Sequence, residues 1–439
     1  MDALIDEYNI LCKFLKSEQR KHEKLECIKR MFDLGQFHHG GAPSKPATDT
    51  NGDVAAYLAI WDAILCGGGP LAHQPSINDF KYVCRLTTHS SQLLQEYALH
   101  VVKAQLRHWP QLASTSAPTG ASTLVLNELR TASLNAPLTA DIVYAGLVGQ
   151  CVGGCITFPH TGTAGQTPAD YGQCGNDARM AREAFIAFSQ NKGRLDPLVY
   201  ALRMAYCMRC RTSNAAVAIR NGIPADLSGS VTSTTNASAA RSAPIGWLHR
   251  WIDIPGKSRV FSAITHASPR CKDGAMLIAL SAHYAASTRR YPFDPRHFVN
   301  AVSAATWQSD FTTYLDALLD RYEAKMFAPG VLDWVIEQGL AYGEDAGPDG
   351  TLSDGVLQST LWAVYCFMRF PDDFAACINL ASRAGVVATT HTIAAMAGAL
   401  CGSRVGIDGI PQAWIDPLHD QGDWGPSKLR GVVDACIRK

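Results

Sequence analysis

Few side chains in this 439-residue sequence are placed to do chemistry, and they fall in short stretches rich in small residues. Asp177 follows Gly175-Asn176 at the start of a helical pattern, where a carboxylate either answers the positive end of the helix or contacts a ligand. His391 lies among Thr389, Thr390 and Thr392. Imidazole suits zinc, copper or nickel, yet a histidine in the first turn of a packed helix also serves as a hydrogen-bonded core residue. His266, after Thr265, is open to the same two readings. Arg241 offers the fork of donors that matches phosphate or carboxylate, while Asn236 can meet a ligand or bond its own loop. Cys207-Met-Arg-Cys210 is a C-x-x-C without a partner pair, a weak zinc signal, and packing explains Cys151 and Cys155 on one helix face. The fourteen cysteines otherwise sit in apolar helical patterns, as buried free thiols do.

These residues need helices to position them. In Gly385 to Trp414, Ala394, Gly398 and Gly402 recur every four residues, as do Ala395, Ala399 and Ser403, so two sides of one helix are nearly bare and neighbours can approach closely. Thr389 or Thr390 is the expected cap of that helix, and Gly406 to Pro411 its end. A second helix is predicted from Asn176, with Asn176 as cap, Met180, Ala184 and Phe188 inside, and Gly193 beyond. Ser228 to Ser242 is a run of small polar residues. Ala341 to Gly350 is acidic and glycine-rich, with a spacing that fits no calcium loop, and is expected to be a solvated connection.

The Gly385 to Trp414 segment resembles the C-terminal signature of the ADP-ribosylglycohydrolase family, Gly-Gly-Asp-x-Asp-Thr-Ile-Ala-Ala followed by small residues, Gly-Ile-x-x-Ile-Pro and a Trp. The acidic part is replaced by Val387-Ala388-Thr389-Thr390-His391-Thr392. Four more stretches follow in the family's order. Gly146-Leu-Val-Gly149-Gln150-Cys151-Val152-Gly153 is similar to its glycine-rich helix, with Gln150 where an Asp normally stands and no acid near Thr157. Gly172 to Met180 is similar to its Thr-Asp-Asp-Thr motif, reduced to Asp177. Thr235-Asn236 to Arg241 and Pro244 resembles its Ser-Asn-Gly-x-x-x-Arg-x-x-Pro stretch, and Thr265-His266 to Pro269 its Thr-His-x-x-Pro. Five motifs in order are a strong fold signal.

The resemblance implies an all-α, orthogonal helical bundle over 136–439, preceded by a helical extension, 1–135, without a family match. It also implies a site for two divalent cations, usually magnesium, which orient the ribose of ADP-ribose for hydrolysis. Magnesium wants near-octahedral oxygen ligands at about 2.0–2.1 Å. The matching positions here are Gly175, Asn176, Asp177, Thr389, His391 and Thr392, with a single carboxylate among them. No cofactor is therefore expected, magnesium entering only if the degenerate site still binds it, and no general base is evident. The expectation is a pseudoenzyme that binds ADP-ribose or a related nucleotide, or that builds an assembly. Its ligand candidates are Gly149, Gln150, Gly153, Asn176, Asp177, Asn236, Arg241, Thr265, His266, Thr389, His391 and Thr392. The alternative is an active ADP-ribosyl hydrolase with a non-standard metal site, one zinc-like ion on Asp177, His391 and Cys174.

Composition narrows the partners. Lys plus Arg and Asp plus Glu both number 39, so no global field would gather nucleic acid or an acidic membrane surface. No run approaches the ~18 apolar residues of a membrane span, and the acidic N-terminus does not read as a signal peptide, so a cytoplasmic protein is expected. Leu4, Ile5, Tyr8, Leu11, Cys12 and Leu15 form the apolar stripe of an amphipathic helix, which either packs on the main domain or docks on a protein partner. Helices are also expected at 25–32, at 54–65 and twice within 76–109, with a loop at 38–52, a break at 66–70 and a linker at 113–122.

Overall fold

A computed structural model describes residues 77–87, 92–109, 120–155, 172–207, 214–306, 309–384, 387–420 and 423–437, with positions 54, 57, 58, 61 and 112. The sequence features expected at 1–16, 25–32, 38–52, 66–70 and 113–119 lie outside those residues, as do Thr157 and Cys210. The chain divides into two compact units, one of residues 1–132 with 290–292, the other of 133–289 with 293–439. The fold is all-α. Among the described residues no strand forms, only four isolated bridges.

In the first unit, α1 (Ile77–Leu86), α2 (Gln92–His108) and α3 (Gly120–Ser133) surround a core that includes Tyr57, Trp61, Phe80, Val83, Val101, Leu106 and Val125. Leu94, Ala98 and Val101 form a buried stripe at helical spacing in α2, with Gln105 buried beside it. Residues 120–122, expected as linker, instead open α3.

The second unit holds α4 (Ala140–Gly153), α5 (Asn176–Gln190), α6 (Pro197–Cys207), α7 (Asn214–Arg220), α8 (Ala237–Ala240), α9 (Ala243–Leu248), α10 (Ile254–Ala263) and α11 (Pro269–Ser287). It continues with α12 (Pro295–Ala305), α13 (Phe311–Glu323), α14 (Ala328–Ala341), α15 (Val356–Arg369), α16 (Phe374–Ala381), α17 (Val387–Val405), α18 (Gln412–Ile415) and α19 (Pro426–Cys436). α11 and α15 are buried on almost every side, as helices at the centre of a large core must be. α17 packs on α4, α11 and α15.

The contact between α4 and α17 is backbone against backbone. A Cβ built on Gly149 would lie 2.3 Å from the Gly398 carbonyl oxygen, and one on Gly398 would lie 2.2 Å from the Gly149 oxygen. A Cβ on Gly153 would meet the Ala394 oxygen at 2.0 Å, and one on Gly402 the Ala145 oxygen at 2.6 Å. Real Cβ atoms do not come so close to a carbonyl, so a side chain here would force the helices apart. Gly149 and Gly153, two of the ligand candidates, are thus buried in the seam, where their lack of bulk serves helix contact.

Two helix starts differ from expectation. The extended cap of α5 falls on Gly175, one residue before Asn176, because the chain presses there on the end of α4: a Cβ on Gly175 would lie 2.6 Å from the Gly154 oxygen. α17 begins at Val387, so Thr389 and Thr390 lie inside its first turns, buried, instead of capping it. Nor is Ala341 to Gly350 wholly solvated. Glu344 is buried at the start of α15, accepting from the Leu357 and Gln358 amides at 2.6 and 3.1 Å.

The seam and α19 predict opposite signs for one substitution. Gly398→Ala should cost about 1–3 kcal/mol of overpacking, whereas Gly431→Ala, in α19 with nothing within 4 Å of a new Cβ, should add roughly 0.5–1 kcal/mol. Urea denaturation of the two variants measures both. A neutral Gly398→Ala would show that the helices can separate freely.

Candidate functional site

Asp177 lies in the first turn of α5, half-buried, and its Oδ2 accepts from the Thr392 hydroxyl of α17 at 2.8 Å. This bond ties two of the family-like motifs together. Burial raises the Asp177 pKa from its ordinary value, opposed by the Thr392 hydrogen bond and the Arg241 charge. The Arg241 guanidinium is itself buried, which lowers its pKa. It makes no ion pair among the described residues: Nη1 donates to the Ala237 carbonyl at 3.1 Å and Nη2 to the Thr265 hydroxyl at 2.6 Å. Both of these partners are neutral oxygens.

Thr265 carries the contact onward. Its hydroxyl lies 2.6 Å from His266 Nδ1, and His266 Nε2 lies 2.8 Å from the Thr235 hydroxyl. Burial, helped by the Arg241 charge, pushes His266 down to about 4, so the ring is neutral at pH 7. Arginine can only donate, so the Thr265 oxygen accepts from Arg241 and its own hydrogen can be given to Nδ1. In that arrangement the ring is the Nε2–H tautomer, and Nε2 donates to Thr235. The result is a directed chain of donors from Arg241 to Thr235, with the Ser233 hydroxyl 3.3 Å further on.

The loop that carries Thr235 is fixed from α15. The Asn236 amide donates to the Asp354 carbonyl and the Val356 amide to the Thr234 carbonyl, both at 2.8 Å. Asn236 Nδ2 donates to Ser359 Oγ at 3.0 Å, so this side chain bonds α15 and does not cap its own loop. Gln150, fully buried, donates to the Ala240 carbonyl at 2.7 Å, joining α4 to α8 just before Arg241. Asn176 is exposed.

His391 stands apart. Its Nε2 is buried without a hydrogen-bond partner, and burial alone lowers its pKa, with no carboxylate acting on it. Among the described residues no three His, Cys, Asp or Glu side chains lie close enough together to hold a metal ion. The set Asp177, His391 and Cys174 therefore does not form a zinc-like centre. The structure brings together Asp177, Thr392, Arg241, Thr265 and His266, adding Thr235. Thr235 was part of the motif as read, and its place between Asn236 and Ser233 gave no sign of the His266 contact.

Two buried groups give opposite pH dependences. His266 has a folded pKa below its ordinary 6.5, so protonation favours the unfolded chain, and the stability it contributes is lost as pH falls from 6.5 through about 4. Burial pushes Glu344 up to about 7, above its ordinary 4.5, so the folded state holds that proton more tightly and loses stability as pH rises from 4.5 to 7. Glu344→Gln should remove the second dependence: its stability relative to the native chain should improve between about pH 5 and pH 8 in urea titrations. An unchanged difference would mean that Glu344 titrates normally. For His266, nitrogen chemical shifts at pH 7 should report the neutral ring with hydrogen on Nε2, and a charged ring would break the donor chain.

The ADP-ribosylglycohydrolase family model matches residues 135–438. ADP-ribosylhydrolase ARH3 of Bos taurus is 28% identical over 194 residues, 41% of this chain and 52% of that protein. Its Homo sapiens counterpart is 27% identical over 194 residues, again 41% and 52%. The matched region thus spans about half the length of these curated relatives. A solved structure described as an ADP-ribosylglycohydrolase-related protein complex shares 19% identity with a TM-score of 0.49, covering 68% of this chain and 98% of that one. The matched span contains all five motifs, the glycine seam and the Asp177 to Thr235 cluster, and by that match the chain belongs to the ADP-ribosylglycohydrolase family.

Proposed function

We propose that this chain keeps the family's fold but not its metal-assisted hydrolysis, and acts by binding ADP-ribose or a related nucleotide, or as a component of an assembly. The observation that carries this reading is the donor set. Where the family places its acids, the chain has Asp177 alone, and that carboxylate is already engaged by Thr392. Two magnesium ions need many oxygen ligands and enough negative charge to offset their dehydration. One carboxylate, three threonine or asparagine side chains and an imidazole do not fit that need. No step of a reaction is therefore assigned to a metal.

Recognition is a different matter. The relatives are named for action on ADP-ribosyl groups, and the polar chain that starts at the buried Arg241 supplies donors of the kind such a ligand uses. Arg241 is a buried cation without an ion pair among the described residues, and the chain through Thr265 and His266 directs donors toward Thr235. A diphosphate or ribose oxygen would complete those donors. The stripe at residues 4–15 lies outside the described residues, and its docking on a protein partner remains part of the assembly reading.

Two measurements test the proposal. Full-length protein with magnesium and ADP-ribosylated Arg or Ser substrates should show no turnover, and magnesium-dependent release of ADP-ribose would reject the loss of hydrolysis. Calorimetric titration with ADP-ribose should show saturable binding, weakened roughly tenfold or more by Arg241→Gln, as expected for removal of a charged hydrogen bond of about 1.5–3 kcal/mol. No saturable heat at millimolar ligand would reject the nucleotide reading and leave the assembly role.

A further inference from the structure

Beside Arg241, on the side of α10, lies a cavity of about 10 Å³ lined by Tyr200, Ser238, Arg241, Ser242, Ser258 and Ser262, with apolar side chains closing the remainder. Each of these six residues is at most 3% exposed. That volume is at the lower limit of the roughly 10–15 Å³ that one water molecule needs, and far below what any organic ligand or phosphate would occupy.

Hydrogen-bond capacity decides whether such a space is wet. Ser258 Oγ is buried and has no partner in the protein, although it lines the cavity. The other three serines already donate: Ser238 to the Cys271 carbonyl at 3.2 Å, Ser242 to the Ala239 carbonyl at 2.8 Å and Ser262 to the His266 carbonyl at 2.9 Å. Their oxygens are left as acceptors. Tyr200 donates to the Met180 carbonyl at 3.1 Å, and its oxygen is engaged by Arg241. The cavity wall thus presents one unused hydroxyl donor, a guanidinium and several acceptors. Left dry, it would strand the buried Ser258 hydroxyl, which is costly.

We propose that one ordered water occupies this cavity as a structural ligand. It accepts from the Ser258 hydroxyl and donates to the free lone pairs of the serines on α8, α10 and the α8–α9 junction, giving the two to four partners a buried water requires. It bridges α10 to the segment that carries Arg241.

A crystal structure of the full chain, at a resolution that reveals bound solvent, tests this. One well-occupied solvent peak within hydrogen-bond distance of Ser258 Oγ and of at least one more lining oxygen is expected. An empty cavity, or a Ser258 hydroxyl turned onto a protein carbonyl, would overturn the proposal. Ser258→Val should replace the peak with its methyl groups, and a solvent peak that persists there would also overturn it. If that variant does not fold, the native crystal alone decides.

Discussion

The contact of α4 with α17 through glycine is the constraint on which the second unit rests. With Gly149 and Gly398 each against the other's carbonyl, the two helices are held at a separation that no side chain permits. That closeness sets the position of the α17 first turns. Thr392 then reaches Asp177 at the start of α5, so the seam's geometry is passed directly to the candidate site. Gly175, against the Gly154 carbonyl, fixes the start of α5 from the same helix end. Small residues therefore do here what bulky ones do in an ordinary core, by letting backbones meet.

Around this frame the polar residues have been redistributed. Positions that carry acids in the family's signature hold Gln150, Asn176, Thr389 and His391 here; Gln150 instead bonds the Ala240 carbonyl, and Thr392, next to His391, bonds Asp177. On the proposed reading, a site that holds cations in the family keeps little negative charge in this chain. What persists is the cationic and donor side: Arg241, Thr265, His266 and Thr235, linked by short hydrogen bonds. On the proposed reading this asymmetry favours recognition of an anionic or oxygen-rich ligand over metal-assisted cleavage.

The seam was legible in the sequence because a four-residue recurrence of Gly and Ala is a local, periodic signal, and helix geometry converts it directly into a bare face. Asp177 at a helix start was legible for the same reason. The donor chain was not. Arg241 meets Thr265 across 24 residues and His266 meets Thr235 across 31, between loops and helix ends whose approach has no period to read. Glu344 misled for a related reason: its neighbours suggest a solvated turn, and its partners, the amides of Leu357 and Gln358, are 13 and 14 residues away. The cap of α5 shifted to Gly175 because tertiary contact with Gly154 outweighed the local preference of asparagine. Positions of this kind are set by packing between elements, and composition does not record them.

The most direct test is a crystal of the full chain soaked with ADP-ribose and magnesium. The predicted density has nucleotide oxygens near Arg241 or no nucleotide at all, and in neither case a pair of octahedral ions beside Asp177. Two magnesium ions there, coordinated by carboxylates from elsewhere in the chain, would contradict the account.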